Sequence, residues 1–271
     1  MQLWTWRTWQ DKPFLTCGLL PQPHGFFTQH FYPAPPAELS AALLPSAQMP
    51  SARIYRVKQV HSGDVLTPTE IEAEIEAAAV PLSSQESHQP PFPLADGIVS
   101  EQPEQAVWAC SADCTPVLIG DLLTGKVAAV HAGWRGTAQK IVPAAVARFQ
   151  AQGSQLRNLR IALGPAIHGN VYQVGRDVAA QVGLSVAPTS APAAIIESLM
   201  AIENPPLFSD SQENRVRLDV RRINQMQLEQ MGIASTQIAI APHCTYQEPK
   251  NFFSYRRTGE KKVQWSGIVS V

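Results

Sequence analysis

Short runs of apolar residues, some of them alternating with polar residues, recur along most of the chain between clusters of glycine, proline and polar residues. This pattern is typical of β-strands, because successive side chains of a strand point to opposite faces. The strand predicted at 53–60 would carry His61 at its end. The pattern predicts strands at residues 4–9, 24–28, 53–60, 106–110, 117–119, 126–130, 160–163 and 237–241.

A second pattern, in which apolar residues recur every three or four positions, indicates helices. It predicts helices at residues 39–44, 137–152, 176–182 and 220–231, the last one closed by Gly232 as its C-terminal cap. Strands outnumber helices and alternate with them irregularly. The chain is therefore predicted to adopt an α+β fold in which mixed β-sheets are layered with α-helices, rather than a doubly wound sheet.

The chain is predicted to form one domain over residues 1–271, because this length, with 45% hydrophobic residues, can bury a sizeable core. Residues 67–93 interrupt the pattern and are predicted to form a mobile insertion. The acidic stretch at 70–79 favours a helix within it. The stretch at 83–93 is rich in serine, glutamine and proline, a composition typical of loops.

Charge and composition exclude several classes of partner. The formal net charge is −1 and the chain has no run of lysines or arginines, so nucleic acid is not expected to be a partner. No stretch approaches the ~18–20 consecutive apolar residues of a membrane span. The first residues do not resemble a signal peptide. The four cysteines are therefore expected to be reduced thiols, and the cytoplasm is the predicted location.

The residues with the clearest chemical potential are Cys114 and His131, which lie 17 residues apart, together with His61 upstream. Each stands where an apolar run meets a turn-prone or polar stretch. Two imidazoles and one thiolate can bind zinc and leave one coordination position open, as catalytic zinc sites do. Cys114 and His131 could equally form a nucleophilic pair. The spacing matches no local zinc-finger pattern, so separate strands would have to assemble the site.

Anion-binding and proton-transfer candidates lie close to these residues in sequence. Arg135 follows His131 by four positions, and Tyr255, Arg256 and Arg257 belong to an aromatic and basic stretch. Arginine suits phosphate because its planar guanidinium can donate two parallel hydrogen bonds. The acid/base candidates are the two carboxylates nearest to the metal-ligand candidates in sequence, Asp96 and Asp113. Either carboxylate could instead cap a turn.

Several motifs together resemble the laccase-domain, or multicopper polyphenol oxidase-like, family, which is also called the peptidoglycan editing factor family. The most specific pair is Ala-Asp-Cys-Thr-Pro at 112–116 with His-Ala-Gly-Trp-Arg-Gly at 131–136. The resemblance covers most of the chain. Its other blocks are at 24–28, 57–61, 95–97, 164–167, 244–245 and 253–257.

The resemblance implies a zinc site formed by His61, Cys114 and His131. It also implies phosphorolysis of adenosine, inosine, guanosine and methylthioadenosine, and deamination of adenosine, so purine nucleosides and phosphate are the expected partners. The implied fold is similar to that of the cytotoxic necrotizing factor-like cysteine hydrolases. This suggests an alternative activity, a Cys/His amide hydrolase that edits peptidoglycan peptides.

A second alternative is a weak copper-dependent polyphenol oxidase, the activity behind the family's older name. Mixed nitrogen and sulfur ligands can bind Cu²⁺ as well as Zn²⁺. However, no two of the seven histidines are separated by a single residue, so the paired ligands of a multicopper cluster are missing. The chain also departs from the family after Thr28, where Gln29 stands in place of the usual arginine.

Overall fold

The computed structural model describes residues 3–44, 52–78, 92–187 and 191–271. The strands in these ranges are β1 (Trp4–Trp9), β2 (Lys12–Cys17), β3 (His24–Phe27), β4 (Arg53–Tyr55), β5 (Val65–Leu66), β6 (Gly97–Val99), β7 (Gln105–Ser111), β8 (Thr115–Asp121), β9 (Val127–Ala132), β10 (Leu159–Leu163), β11 (Gln173–Gly175), β12 (Leu207–Ser209), β13 (Arg215–Leu218), β14 (Ile238–Ile240) and β15 (Gln264–Val269). The α-helices are α1 (Pro36–Leu43), α2 (Pro68–Ala78), α3 (Trp134–Ala138), α4 (Ile141–Ala151), α5 (Arg176–Gly183), α6 (Pro192–Ala201), α7 (Val220–Gln230) and α8 (Tyr255–Thr258).

Two six-stranded sheets pack face to face and form the centre of the molecule. The first has the strand order β1-β2-β3-β15-β7-β4, and the second has the order β14-β10-β8-β9-β6-β5. Both are mixed, because β4 runs parallel to β7 in the first sheet, and β10 parallel to β14 in the second. Apolar side chains from both inner faces meet in one core, which includes Leu15, Phe26, Val107, Leu118 and Ala129.

Helices cover the outer faces of both sheets. Helix α1 packs Leu39 and Leu43 against the first sheet, beside Phe27 and Trp108. The outer face of the second sheet packs against α4 and α7. A smaller three-stranded sheet, β11-β13-β12, shares a further core with α5 and α6. The layered α+β architecture with mixed sheets is thus confirmed, while the similarity to the cytotoxic necrotizing factor fold stays a prediction.

The strand prediction for 53–60 is wrong beyond Tyr55, where β4 ends. The chain then leaves the sheet, and the side chain of Gln59 takes over the hydrogen bonding to β7. Its Nε2 donates to the carbonyl of Cys110 at 2.7 Å, and its Oε1 accepts from the amide of Cys110 at 2.8 Å. A side-chain amide can satisfy one strand residue in this way without continuing the ladder.

The helix predicted at 137–152 is two helices, α3 and α4. Lys140 lies between them in a left-handed conformation, with φ 60°. Pro143 explains the break, because proline is tolerated in the first turn of a helix but clashes with the carbonyl four residues earlier in a helix interior. Helix α6 went unpredicted in an alanine- and proline-rich stretch, although Pro192 at its first position is a typical start signal.

The segment predicted to be a mobile insertion begins with α2, whose Ile71 is buried in the central core. A helix in its acidic part was expected. Residues 79–91, which include most of the serine- and proline-rich part, lie outside the described residues. Among the helices described here, none is both long and apolar enough to cross a membrane.

Candidate metal centre

The pairing of β8 with β9 places Cys114 opposite Gly133. Thr115 pairs with Ala132 in this antiparallel ladder, and Cys114 and Gly133 are the next residues outward on the two strands. Cys114 lies in the turn between β7 and β8, and His131 is the penultimate residue of β9. Sheet register alone therefore brings the cysteine and one histidine to the same end of the second sheet.

Asp96 orients His131. The neighbouring strand β6 pairs Gly97 with Val130, which puts the preceding Asp96 beside His131. The Oδ1 atom of Asp96 lies 2.7 Å from Nδ1 of His131, and the His131 amide donates to the Asp96 carbonyl at 2.7 Å. Because Asp96 pairs with Nδ1 of His131, the ring leaves Nε2 on its other side, where His131 hydrogen-bonds to Cys114.

The same carboxylate also holds the loop that carries His61. Its Oδ2 atom accepts hydrogen bonds from the backbone amides of Val60 at 3.0 Å and Ser62 at 2.7 Å. His61 itself adopts φ 63°, an uncommon conformation for a residue with a side chain. The carboxylate of Asp96 thus fixes both histidines, one through its ring and the other through the backbone on either side of it.

His61, Cys114 and His131 form one cluster. Their ligand atoms all lie within 4.8 Å of one another, and in the described part of the chain they are the one such group of potential metal ligands. The Cys114 Sγ is 4.0 Å from Nε2 of His61, and the two imidazole rings are 4.9 Å apart at 80°. The predicted set of three ligands from distant parts of the sequence is therefore brought together.

Gly133 leaves the space that these ligands occupy. A Cβ at this position would lie 2.9 Å from the Cys114 Sγ and 3.1 Å from Cδ2 of His61. His131 is buried, Cys114 is half-buried and His61 is exposed, so the cluster opens to solvent on the His61 side. Two imidazoles and a thiolate with one open side fit a zinc ion that keeps a position for a guest molecule.

The charges in the cluster favour the ionised thiolate of Cys114, which is the form that binds metal ions. Burial opposes ionisation of Cys114, but the positive imidazole of His131 and hydrogen bonds from both histidines lower the pKa of Cys114 to about 6. Burial likewise opposes protonation of His131, but the Cys114 thiolate and Asp96 raise the pKa of His131 to about 9. Despite its burial, Asp96 has a lowered pKa because His131 and the amides of Ser62 and Val60 donate to it.

Asp113, the second predicted acid/base residue, is buried and fully hydrogen-bonded. Its Oδ1 accepts from the Thr245 hydroxyl at 2.7 Å, and its Oδ2 accepts from the backbone amide of Arg256 at 2.7 Å. All four carboxylate oxygens of Asp96 and Asp113 therefore accept hydrogen bonds from the protein. A role in proton transfer stays a prediction for both.

The predicted anion-binding residues fall into two groups. Arg135 and Arg256 are exposed, and each guanidinium lies on an aromatic ring: Arg135 is 4.3 Å from the Trp134 ring and Arg256 is 4.8 Å from the Tyr172 ring. Arg257 instead donates to three backbone carbonyls, which leaves little of its guanidinium for a ligand; they belong to Thr245, Tyr246 and Phe252. Tyr255 is 54% exposed.

Sequence reasoning missed Tyr172 and the spatial role of Gly133. Burial raises the pKa of Tyr172 to about 12. The negative charges of Cys114 and Asp113 act in the same direction, and the positive charges of Arg256 and Arg135 oppose it. The Tyr172 ring contacts the Arg256 guanidinium, which lies 4.8 Å from the ring centre. Tyr172 stands in a short block of the family, but that block predicted no role for it, whereas the glycine in a strand-to-helix turn was a usable signal for close packing at Gly133.

The fold and the cluster define an α+β protein with a His–Cys–His set of potential metal ligands. Residues 37–269 match the family model described as multi-copper polyphenol oxidoreductase laccase, so the chain belongs to that family. A relative from Synechocystis sp., named purine nucleoside phosphorylase, is 51% identical over 272 residues, which cover 99% of this chain and 97% of the relative.

Two further comparisons concern a more distant relative and the fold. A protein named adenosine deaminase from an unknown prokaryotic organism is 29% identical over 167 residues, which cover 60% of this chain and 57% of that protein. The crystal structure of YlmD from Geobacillus stearothermophilus has the same fold, with a TM-score of 0.76, 23% identity and 98% coverage of both chains. The two relatives described here are thus named as enzymes that act on purine nucleosides.

Proposed function

We propose that this protein is a zinc-dependent purine nucleoside phosphorylase that acts on adenosine, inosine, guanosine and methylthioadenosine and also deaminates adenosine. The observation that carries the proposal is the cluster of His61, Cys114 and His131, whose ligand atoms lie within 4.8 Å of one another and open to solvent on one side. The names of the relatives support the reaction type.

The three residues would hold the ion through two imidazole nitrogens and one thiolate sulfur. When bound, zinc supplies Lewis-acid chemistry at its open coordination position. Asp96 fixes His131 by its 2.7 Å hydrogen bond and keeps the Nε2 atom of the ring available as a ligand. Such carboxylate–histidine pairs orient the ring and increase the basicity of the ligand nitrogen.

Phosphorolysis also needs a site for phosphate. In this reaction a phosphate oxygen bonds to the sugar C1′ while the bond from C1′ to the base nitrogen breaks, and the base leaves with a proton. Arg135 and Arg256 are the predicted arginines whose guanidinium groups remain open to a ligand, and a guanidinium is well suited to bind phosphate. We assign phosphate binding to these two residues, and flanking of the base to the exposed Tyr255 and the ring of Trp134.

The experiment that tests the proposal compares two cysteine variants. Cys114→Ala is expected to lose its zinc, measured by elemental analysis of the purified protein, and to lose phosphate-dependent release of hypoxanthine from inosine by about 100-fold or more. Cys110→Ala is the matched control, since Cys110 lies four residues earlier and outside the ligand cluster. Full zinc content and full inosine phosphorolysis in Cys114→Ala would refute the assignment.

One observation favours a second function, a metal-free Cys/His amide hydrolase that edits peptidoglycan peptides. Without a metal, the pKa values of about 6 for Cys114 and about 9 for His131 describe a thiolate–imidazolium pair, with Asp96 orienting the ring. Chelation separates the two functions. Amidase activity on peptidoglycan peptides that is undiminished after zinc removal would favour the hydrolase, and loss of phosphorolysis on chelation with recovery on zinc addition would favour the phosphorylase.

A copper-dependent polyphenol oxidase has less support. The residues described by the structure contain one three-ligand cluster, whereas a multicopper centre needs several adjoining sets of ligands. The ligands of the single cluster could still accept copper. Oxidation of a phenolic dye by the copper-loaded protein, compared with the zinc-loaded protein, measures that side activity.

A further inference from the structure

Asp113 occupies an unusual place next to the metal-ligand cluster. It is 8% exposed, it precedes Cys114 directly, and it adopts φ 90°, a region that residues with a side chain rarely enter. Such backbone strain persists only where surrounding contacts hold it in place. The contacts of Asp113 therefore indicate what its conformation achieves.

Those contacts tie the Cys114 turn to two distant segments of the chain. The carboxylate accepts from the Thr245 hydroxyl, 132 residues away, and from the Arg256 amide, 143 residues away, both at 2.7 Å. The carbonyl of Asp113 also accepts from the amide of Ile167 at 3.0 Å. One buried side chain thus fixes the backbone of Arg256 relative to the residue that provides the sulfur ligand.

The side chain of Arg256 is then held at two further points. Its Nη1 donates to the Gln173 carbonyl at 2.8 Å, and its guanidinium lies 4.8 Å from the centre of the Tyr172 ring. The remaining nitrogens of the guanidinium, Nε and Nη2, donate to no residue in the described part of the chain. A planar cation that is positioned on one side and open on the other is suited to bind an oxyanion.

The guanidinium of Arg256 lies beside the cluster, because the amide of the same residue donates to Asp113, which directly precedes Cys114. The Tyr172 ring, 4.8 Å from this guanidinium, lies in the same place. Arg135 lies near the cluster on another segment, in the first turn of α3, two residues after Gly133, which packs against Cys114.

We propose that Asp113 is a positioning residue that holds Arg256 in place as one half of a phosphate site, with Arg135 as the other half. The inference rests on the proposed function, because the oxyanion it assigns is the inorganic phosphate consumed in phosphorolysis. In this role Asp113 transfers no proton to or from the substrate. Its carboxylate acts through the Arg256 backbone, and the Tyr172 ring supports the guanidinium from below.

Asparagine separates this role from acid/base catalysis. In Asp113→Asn the side-chain oxygen can still accept from the Arg256 amide, and the amide nitrogen can donate to the Thr245 hydroxyl, which can also accept. Asparagine tolerates positive φ better than most residues. Asp113→Gly removes both hydrogen bonds without adding backbone strain, because glycine adopts φ 90° freely. Asp113→Asn removes the charge and keeps the hydrogen bonds, whereas Asp113→Gly removes the hydrogen bonds without adding strain. Comparing the two variants therefore isolates the effect of the hydrogen bonds.

The experiment measures zinc content, kcat, and KM for phosphate and for inosine in zinc-loaded protein, and binding of inorganic phosphate by titration calorimetry. Asp113→Gly is expected to raise KM and Kd for phosphate by about tenfold or more, with zinc content and KM for inosine near those of the wild type. Asp113→Asn is expected to stay within about threefold of the wild type in all of these quantities. In an Arg256→Gln background, Asp113→Gly should add little, since coupled residues are not additive.

Three outcomes would overturn the inference. A large loss of kcat in Asp113→Asn at unchanged KM would make Asp113 an acid/base group. If Asp113→Gly changed zinc content and KM for inosine as much as KM for phosphate, Asp113 would be a general structural residue. If the wild type bound no phosphate, the proposed site would have no ligand. If the wild type binds phosphate in an Asp113- and Arg256-dependent manner but shows no phosphorolysis, the inference holds and the proposed function fails.

Discussion

A single methyl group added at Gly133 tests whether the three ligands converge on one ion. In Gly133→Ala the new Cβ would lie 2.9 Å from the Cys114 Sγ and 3.1 Å from Cδ2 of His61. Favourable contacts of such atoms lie at ~3.5–4.0 Å, so the ligands must move apart. Gly133 has φ −74° and ψ 172°, which alanine adopts without strain, so the effect comes from the side-chain clash alone.

The clash should appear in metal affinity rather than in the stability of the metal-free protein. Without metal, Cys114 can rotate away from the new methyl group, whereas bound metal requires its sulfur and the His61 ring to stay together. Inserting one carbon into a closely packed site costs about 1–3 kcal/mol. If that cost falls entirely on the metal-bound state, zinc affinity drops roughly 5- to 150-fold.

The assay is competition for zinc with a chromophoric chelator at fixed pH, together with thermal melting of the metal-free protein. Gly18→Ala is the matched control, because a Cβ there would meet only the Leu3 carbonyl, at 3.5 Å. We expect the control to bind zinc like the wild type. Wild-type zinc affinity in Gly133→Ala would refute convergence of Cys114 and His61 on one ion.

Three further predictions concern the groups around the cluster. Zinc affinity should rise about tenfold per pH unit between pH 6 and 9, because zinc must displace the proton of His131, whose pKa is about 9. Cys114, with a pKa of about 6, is already ionised over this range. Chelator competition across the range measures the slope, and a flat profile would contradict the prediction. Asp96→Asn should lower zinc affinity by about 10- to 100-fold, since an amide cannot accept all three hydrogen bonds that the carboxylate accepts. The same competition assay measures this affinity. Unchanged affinity would show that His131 needs no orienting partner. Arg257→Met should destabilise the protein by about 1–2 kcal/mol in urea unfolding, because Arg257 donates to backbone carbonyls. The KM for phosphate should stay unchanged. A raised KM without loss of stability would instead show that Arg257 binds phosphate.

Local patterns predicted several elements correctly because short-range physics controls them. Strand β1 has its predicted limits, Trp4–Trp9, and α7 is followed by Gly232 with φ 93°, as a C-terminal glycine cap requires. Errors arose where distant contacts override local preference. The strand predicted through Val60 ends at Tyr55, because the Gln59 side chain bonds to a neighbouring strand in place of the backbone.

Residue identity was sufficient to indicate the family and the potential metal ligands, since Cys114, His131 and His61 stand in specific motifs. The contacts of the neighbouring groups could be known only from the fold. Asp113 is bound to Arg256, 143 residues away, and this pairing depends on how the sheets bring the two segments together. Residue type states what a group can donate or accept, whereas the fold decides which partner it meets and which groups remain open to a ligand.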